Sequence, residues 1–347
     1  MIAARAKLLM IAMAIAGLAG ACGTVDGASE TTAAPSEASE TTVATASPTT
    51  TAAVTTTTSA PTTTEVSGTF TGIDGVTSDV TDTSRIVSLT GDITEIIYEL
   101  GAGDRVVGVD ITTTHPDAAN DLKAAGGLVG FGQALTAEAV LRFDPTVVIG
   151  DESIEPPETI AQLRDAGVSV VILEYQTTLE GVTEKIRQVA DIVDLEEAGA
   201  LLASRVGGEI DEARQIASEA GSAPRVVYLY SRGPSLLFLF GEGIPTNAMI
   251  EAAGAVDAGA EIGEGAIPLT PEALVAAAPD VIVLPESGVE GLGGFEAILE
   301  IPGVAETPAG SNGALLAYDE AYFFNLGPRT GLALNEFVED LYALVGW

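Results

Sequence analysis

Residues 135–149 read LTAEAVLRFDPTVVI and place a short helix directly before a buried strand. The threonine can cap the helix, the acid suits its first turn, and the proline ends it before the β-branched run begins. The same arrangement recurs at residues 269–283, which read LTPEALVAAAPDVIV. A unit that occurs twice in one chain predicts two similar α/β lobes.

Short β-branched runs alternate with helix-like segments around both copies, which is typical of parallel α/β units. Between the copies, residues 177–221 keep helical periodicity with few breakers and predict a connecting helix with one break near Asp194. Buried strands are predicted at 85–89, 105–110, 146–151 and 168–174 in the first lobe, and at 225–232 and 280–287 in the second. The predicted fold class is therefore α/β, with two lobes joined by a helix.

The composition excludes several classes of function. The chain of 347 residues carries 14 Lys and Arg against 50 Asp and Glu, so it repels phosphate backbones and we predict no nucleic-acid partner. One His and one Cys cannot build a multi-His or Cys-rich zinc site, which disfavours a zinc or manganese importer component. A surface hydrolase is disfavoured because no Gly-x-Ser-x-Gly elbow is present, and we expect no enzymatic activity.

The N-terminus has the features of an exported lipoprotein. Arg5 and Lys7 precede an apolar run too short to span a membrane, and the run ends at Ala21-Cys22, which resembles a bacterial lipobox. The alternative is an ordinary signal peptide with a chance Cys. The residues that follow are rich in Thr, Ala, Ser and Pro, a composition that predicts a disordered tether. The predicted domains are a signal peptide at 1–21, a lipidated Cys with its tether at 22–84, a first lobe at 85–194, a connecting helix at 195–221 and a second lobe at 222–347.

Four segments of the chain carry a family resemblance. They read RIVSLTGDITEIIYELGAGDRVVGVDITTTHPDAA (85–119), GGLVGFGQALTAEAVLRFDPTVVIGDE (126–152), AQLRDAGVSVVILE (161–174) and GPRTG (327–331). They resemble the substrate-binding proteins of ABC importers for haem, ferric siderophores and cobalamin, and within that group the haem-binding lipoproteins of actinobacterial haem importers. The resemblance implies two Rossmann-like lobes joined by a single long helix, the class III periplasmic-binding-protein type, with ligand bound in the cleft between lobes.

The function implied by this resemblance is capture of haem outside the membrane. A monomeric lipoprotein would hold haem between its lobes and deliver it to the permease of an ABC importer, with its lipid anchor at the outer face of the cell membrane. The alternative cargo is a ferric siderophore or a corrinoid. Sites for those ligands usually rely on aromatic residues and Arg without an axial pair of His and Tyr.

The only histidine, His115, lies in DITTTHPD directly after the predicted strand at 105–110. Loops at the carboxyl ends of parallel strands are where open α/β sheets bind ligands. Neutral imidazole is a good axial donor to haem iron, and the resemblance implies His at this place in the actinobacterial branch. The alternative is a solvent-exposed loop histidine. We predict that His115 is an axial ligand of haem iron.

Tyr230 and Arg232 end the predicted strand at 225–232 and share one of its faces because they are two residues apart. A phenol with an ordinary pKa of about 10 needs a nearby positive charge to bind Fe(III) as phenolate, and Arg232 supplies a permanent one. The resemblance implies Tyr230 as the second axial ligand, against the alternative of packing along the cleft. Tyr228 has the same parity and competes with it, although its deeper position favours the core.

Haem also carries two propionates, and few cations can pair with them. Arg329 in GPRTG is a candidate, with Arg142 and Arg164 less well placed. For Arg329 we favour the alternative, a structural role at a helix start. Glu138 and Glu272 occupy matching positions of the repeat, and the resemblance implies that one acid on each lobe docks against Arg residues of the permease. The alternative for both acids is stabilisation of a helix N-terminus.

Overall fold

The computed structural model describes residues 65–346. The predicted signal peptide, Cys22 and the tether up to residue 64 lie outside the described residues. Within the described part, two α/β lobes are joined by a long helix, which confirms the predicted fold class. None of the helices in this part is long and apolar enough to cross a membrane.

Three sheets form in the described part of the chain, and one large sheet builds each lobe. The strands are β1 (Glu65–Thr71), β2 (Thr77–Asp82), β3 (Ile86–Ser88), β4 (Val106–Val109), β5 (Val147–Asp151), β6 (Ser169–Leu173), β7 (Arg225–Ser231), β8 (Leu237–Phe240), β9 (Val256–Asp257), β10 (Ala266–Pro268), β11 (Val281–Pro285) and β12 (Leu315–Tyr318). The first lobe has a parallel sheet of order β4-β3-β5-β6. The second has the order β10-β8-β7-β11-β12, with β9 paired to β7. Because β7, β11 and β12 are parallel neighbours, their carboxyl ends lie at one edge.

Helices connect the strands within each lobe and also join the lobes. They are α1 (Gly91–Glu99), α2 (Asp117–Leu122), α3 (Ala137–Leu141), α4 (Pro157–Asp165), α5 (Leu179–Ile192), α6 (Glu196–Glu219), α7 (Pro245–Ala252), α8 (Pro271–Ala277), α9 (Glu286–Leu292), α10 (Phe295–Leu299), α11 (Pro308–Asn312), α12 (Glu320–Phe324) and α13 (Thr330–Val345). The long helix α6 joins the lobes. The predicted break near Asp194 is confirmed, since this residue adopts a left-handed φ of 60° between α5 and α6.

The prediction that the tether extends to Ser84 is wrong for its last part. Residues 65–82 form an antiparallel hairpin of β1 and β2. The hairpin is fastened to β6, where Oγ of Ser78 donates to the carbonyl of Val170 at 2.8 Å. Val80 of β2 is 0% exposed and belongs to the core of the first lobe. Each of the two strands contains few apolar residues, so the Thr-rich sequence lacks the alternation that predicts a strand.

The repeated unit has the same local structure in both lobes. Oγ1 of Thr136 accepts from the backbone N–H of Ala139 at the start of α3, and Thr270 accepts from Ala273 at the start of α8. After each helix, the residue before the proline has a positive φ, 48° at Asp144 and 45° at 278. A buried strand follows in each lobe, β5 or β11. The predicted helix–strand unit is therefore confirmed twice.

One apolar core extends through both lobes along the connecting helix. Its members include Ile93 and Ile96 of α1, Val206 of α6, and Phe337 and Leu341 of α13, all 0% exposed. Close packing of these side chains leaves few voids and resists relative movement of the elements. The core thereby positions the carboxyl edges of the two sheets relative to each other.

Candidate functional site

Tyr230 and Arg232 meet at the carboxyl end of β7, as their spacing predicted. The phenolic oxygen of Tyr230 accepts a hydrogen bond from Nε of Arg232 at 2.8 Å. Tyr230 is 7% exposed, and its ring stacks on Phe240 with 4.9 Å between the ring centroids. Stacking fixes the direction of the phenol, and the hydrogen bond fixes its oxygen beside a positive charge.

Arg232 contacts two further residues that sequence reasoning missed. Nη1 donates to Oγ of Ser287 at 3.1 Å, and Nη2 pairs with Oε2 of Glu320 at 2.5 Å. Ser287 follows β11 and Glu320 follows β12, so three neighbouring strands deliver these side chains to one edge. The rule that selected His115, a polar residue shortly after a buried strand, could have selected both. We call Tyr230, Arg232, Ser287 and Glu320 the arginine cluster.

Opposing charges act on the phenol of Tyr230. Burial raises its pKa, the carboxylate of Glu320 raises it further, and the guanidinium of Arg232 lowers it, with a raised pKa as the result. Burial also raises the pKa of Glu320, against the lowering effect of Arg232. The phenol therefore keeps its proton at neutral pH in the ligand-free protein. The positive charge of Arg232 is not by itself sufficient to produce a phenolate.

The competing tyrosine, Tyr228, belongs to the core. Its side chain is 1% exposed and stacks on Phe240 and Phe323, with centroid distances of 5.3 and 5.8 Å. Burial raises the pKa of this phenol well above its ordinary value. A ligand outside the core cannot reach this hydroxyl, in agreement with the role favoured from its position in the strand.

His115 lies in the loop between β4 and α2 and is half-buried. Two side chains brace this loop. Oδ2 of Asp110 accepts from the backbone N–H of Thr112 at 3.1 Å, and Nδ2 of Asn120 donates to the carbonyl of Thr114 at 2.6 Å. The structure thus places His115 at the carboxyl end of a first-lobe strand and Tyr230 at the carboxyl end of a second-lobe strand. These contacts hold the backbone of the loop that carries His115.

The loop of His115 and the segment after α12 both lie beside the N-terminus of α1. Gly91 donates its backbone N–H to Oγ1 of Thr112 in the His115 loop at 2.9 Å. Gly327 follows α12, and a Cβ added there would be 3.5 Å from Cβ of Asp92. Segments of both lobes therefore approach the start of α1.

Arg329 is held at the meeting of the lobes by Glu95 of α1. Its Nε and Nη2 donate to the two carboxylate oxygens at 2.9 and 3.1 Å, and the guanidinium lies over the ring of Tyr322 at 5.2 Å from the centroid. Arg329 directly precedes α13, as its structural alternative expects. The guanidinium is already paired, and a contact with a propionate stays a prediction.

The other two candidate arginines are engaged within the first lobe. Arg142 donates to the backbone carbonyls of Gly126 and Leu128 at 3.1 and 2.6 Å. Arg164 pairs with Asp74 of the hairpin at 2.7 Å. Both side chains fasten surface segments to the lobe, and neither joins the arginine cluster.

Glu138 and Glu272 are exposed in the first turns of α3 and α8. Each follows the threonine that caps its helix, so the repeat gives both acids the same local setting. Their negative charge stabilises the helix N-terminus by roughly 0.3–1 kcal/mol. Docking against a permease stays a prediction.

Three buried aspartates follow neighbouring strands of the first lobe. Asp92 lies after β3, Asp110 after β4, and Asp151 ends β5; they are 8%, 2% and 2% exposed. Burial raises the pKa of Asp110 to about 7 and that of Asp151 to about 6, and the charge of Asp92 contributes to both. For Asp92 itself burial acts upward, but an ion pair with Lys185 outweighs it and lowers the pKa.

We expect Asp110→Asn to remove part of the pH dependence of stability. The carboxyl keeps its proton in the fold up to about pH 7, but ionises above about pH 4 in the unfolded chain. The folded state binds more protons in this window, so the free energy of unfolding falls as pH rises through it. Between about pH 5 and pH 8 the wild type should lose on the order of 2 kcal/mol more than the variant. Urea unfolding at both pH values measures this, with the exposed Asp121→Asn as control; equal losses in wild type and Asp110→Asn would contradict it.

Comparison with known proteins places the chain in a family. Residues 86–322 match the family described as "Periplasmic binding protein". The chain belongs to this family. Among curated relatives of the binding protein, the ABC transporter substrate-binding lipoprotein YvrC of Bacillus subtilis (strain 168) is 26% identical over 270 residues, covering 76% of this chain and 82% of the relative.

Solved structures of haem-binding proteins are similar to this binding protein over most of their length. The periplasmic haem-binding protein RhuT from Roseiflexus sp. RS-1, in its apo form, is 41% identical with a TM-score of 0.72, covering 76% of this chain and 99% of that one. The haem-binding protein HmuT is 35% identical with a TM-score of 0.73, covering 80% of this chain and 90% of that one.

A cobalamin-binding protein is also similar to the chain. The protein from Halobacterium salinarum (strain ATCC 29341 / DSM 671 / R1) is 28% identical over 210 residues, which cover 58% of this chain. The match spans about half of that relative, 54% of its length. The family of this binding protein thus includes relatives named for different ligands.

Proposed function

We propose that this binding protein captures haem between its lobes, with His115 and Tyr230 as the two axial ligands of the iron. The observation that carries the proposal is the hydrogen bond from Arg232 to the phenolic oxygen of Tyr230 at 2.8 Å. A guanidinium in this position favours a phenolate once iron competes for the oxygen. The loop of His115 offers an imidazole nitrogen as a donor from the other lobe.

The variants solved for HmuT support this set of residues. That protein is known with alanine in place of a tyrosine, of an arginine two positions further along, or of a histidine. Tyr230 and Arg232 have the same spacing here, and the chain contains a single histidine. The 41% identity to RhuT supports haem as the cargo further.

A titration of the purified apo protein with ferric haem tests the proposal. We expect a saturable complex with a Soret band that differs from that of free haem. Cyanocobalamin titrated in parallel should leave the intrinsic protein fluorescence unchanged. Saturable binding of cobalamin together with no haem complex would overturn the proposal.

A corrinoid is the second candidate cargo, in agreement with the cobalamin-binding relative. The arginine cluster argues against it, because a phenol fixed beside a guanidinium provides a ligand for ferric iron, and haem iron is such a centre. A ferric siderophore would use the same arginine without needing His115. If the wild type binds a ferric siderophore and His115→Ala still binds it, a siderophore is favoured over haem.

The proposed route of delivery starts from a lipid anchor at Cys22, outside the described residues, and ends at an ABC permease. The similarity to the lipoprotein YvrC supports the anchor. In this proposal the protein acts as a monomer, and Glu138 and Glu272, one on each lobe, dock against Arg residues of the permease. Their exposure and duplicated setting support that role.

Charge reversal tests the docking role. Glu138→Lys combined with Glu272→Lys should reduce haem uptake by cells at least about tenfold, since like charges across an interface repel by several kcal/mol. Haem affinity of the purified variant should not change. The matched control is Glu158→Lys with Glu296→Lys, which reverses exposed first-turn acids of α4 and α10. Equal uptake by the two double variants would contradict a docking role.

A further inference from the structure

A phenylalanine between two glycines lies at the carboxyl edge of the first-lobe sheet. Phe131 is half-buried, and its neighbours Gly130 and Gly132 have φ angles of 105° and 54°. A Cβ at Gly130 would lie 2.3 Å from the carbonyl oxygen of Ala134, so this tight turn requires glycine. The turn closes where the backbone N–H of Ala134 donates to the carbonyl of Phe131 at 3.0 Å. Local contacts therefore hold the backbone that carries Phe131.

Phe131 lines a shallow groove together with apolar side chains from three other parts of the lobe. Leu89 follows β3, Ile154 follows β5, and Leu135 precedes α3. These three side chains are 0%, 9% and 3% exposed, so they form a buried floor, whereas Phe131 is accessible. The hydroxyl of Ser153, which also lines the groove, already has an acceptor within the protein. The groove therefore offers a ligand an apolar surface with an aromatic ring.

The groove borders the edge of the sheet that carries His115. The segment leading to Phe131 runs beside β4, since Val129 donates its backbone N–H to the carbonyl of Val109 at 2.9 Å, and β4 leads to the loop of His115. Leu89 lies two residues before the start of α1, which contacts the same loop. An axial ligand bonds iron along the normal to the plane of a macrocycle. A macrocycle held by His115 would therefore extend sideways over this edge.

We infer that the groove of Phe131 is a subsite for the apolar part of a porphyrin ring, and that it binds the ring whether or not the ring holds iron. This subsite rests on the proposed function for the place of the cargo, while its chemistry needs only the flat ring. Contact between the phenyl ring and the macrocycle removes apolar surface of both from water. Glu155 also lines the groove, and its negative charge repels the propionates, so the apolar edge of the porphyrin enters. A corrinoid carries amides around its ring, and burying them here without partners is unfavourable.

The experiment is a titration of the apo protein with protoporphyrin IX, which lacks iron, followed by porphyrin fluorescence. We expect saturable binding that ferric haem displaces. Phe131→Ala should weaken the binding of protoporphyrin IX about tenfold, and that of ferric haem by a similar factor, because the lost contact is with the ring. Phe131→Leu keeps apolar surface and should stay within about threefold of wild type. Leu201→Ala is the matched control, because Leu201 is 69% exposed on α6, and it should bind as the wild type does.

Equal affinity for protoporphyrin IX in Phe131→Ala and the wild type would overturn the subsite, as would the absence of saturable binding to the wild type. Phe131→Gln, which has a polar side chain of similar reach, should also weaken binding about tenfold, so the result does not depend on the folding of one variant. If the wild type binds protoporphyrin IX but no ferric haem, the proposed axial ligation fails and the subsite stands. If it binds ferric haem but no protoporphyrin IX, the subsite fails and the axial ligation stands.

Discussion

Tyr230→Phe is expected to weaken haem binding about 100-fold or more, equivalent to near 3 kcal/mol. Phenylalanine keeps the ring that stacks on Phe240 but lacks the oxygen that we propose as an iron ligand. The Soret band of the remaining complex should shift, because His115 alone would hold the iron. The double variant of His115→Ala with Tyr230→Phe should show no saturable complex. Spectrophotometric titration with ferric haem measures both effects.

Tyr228→Phe is the matched control for this prediction. Tyr228 lies on the same face of β7, two residues earlier, and is 1% exposed. Removing its hydroxyl should leave haem affinity within about twofold of wild type. Equal affinity in Tyr230→Phe and wild type would remove Tyr230 from the site, whereas loss of affinity in Tyr228→Phe alone would assign the ligand to the deeper tyrosine.

The fold could be predicted where its signals are local. The capping residues Thr136 and Thr270 and the proline after each helix act within one turn, and a repeat of such a unit is visible in the sequence alone. The hairpin was missed for the opposite reason. Its strands contain few apolar residues, such as Phe70 and Val80, and become stable only by pairing with each other and with β6, which follows about ninety residues later in the chain.

The same distinction separates the predicted and unpredicted parts of the candidate site. Tyr230 and Arg232 were found together because a spacing of two residues on a strand is a local rule. Glu320, Ser287 and Glu95 were missed because their partners are set by the order of strands in the sheet and by the meeting of two lobes. Neither is encoded in nearby residues, although Ser287 and Glu320 each follow the end of a buried strand by only two positions.

The ion pair of Arg329 with Glu95 leads to the second large prediction. Arg329→Met should lower the free energy of unfolding by about 3–5 kcal/mol, because it leaves the carboxylate of Glu95 buried without a partner. The Glu95 side chain is 8% exposed and that of Arg329 is 22% exposed, so water cannot readily replace the guanidinium. Combining Glu95→Leu with Arg329→Met should restore most of the loss, since no buried charge then remains. Urea unfolding followed by far-ultraviolet circular dichroism measures these values.

Arg214→Met provides the control, because its partner Glu180 has a side chain 71% exposed, and loss of this surface pair should cost about 1 kcal/mol or less. A loss of similar size in Arg329→Met would contradict a buried interlobe pair.

Haem affinity then separates the two roles considered for Arg329. If the arginine only joins the lobes, the double variant of Glu95→Leu with Arg329→Met recovers haem affinity together with stability. If it also holds a propionate, stability recovers while affinity stays low, because methionine cannot pair with a carboxylate.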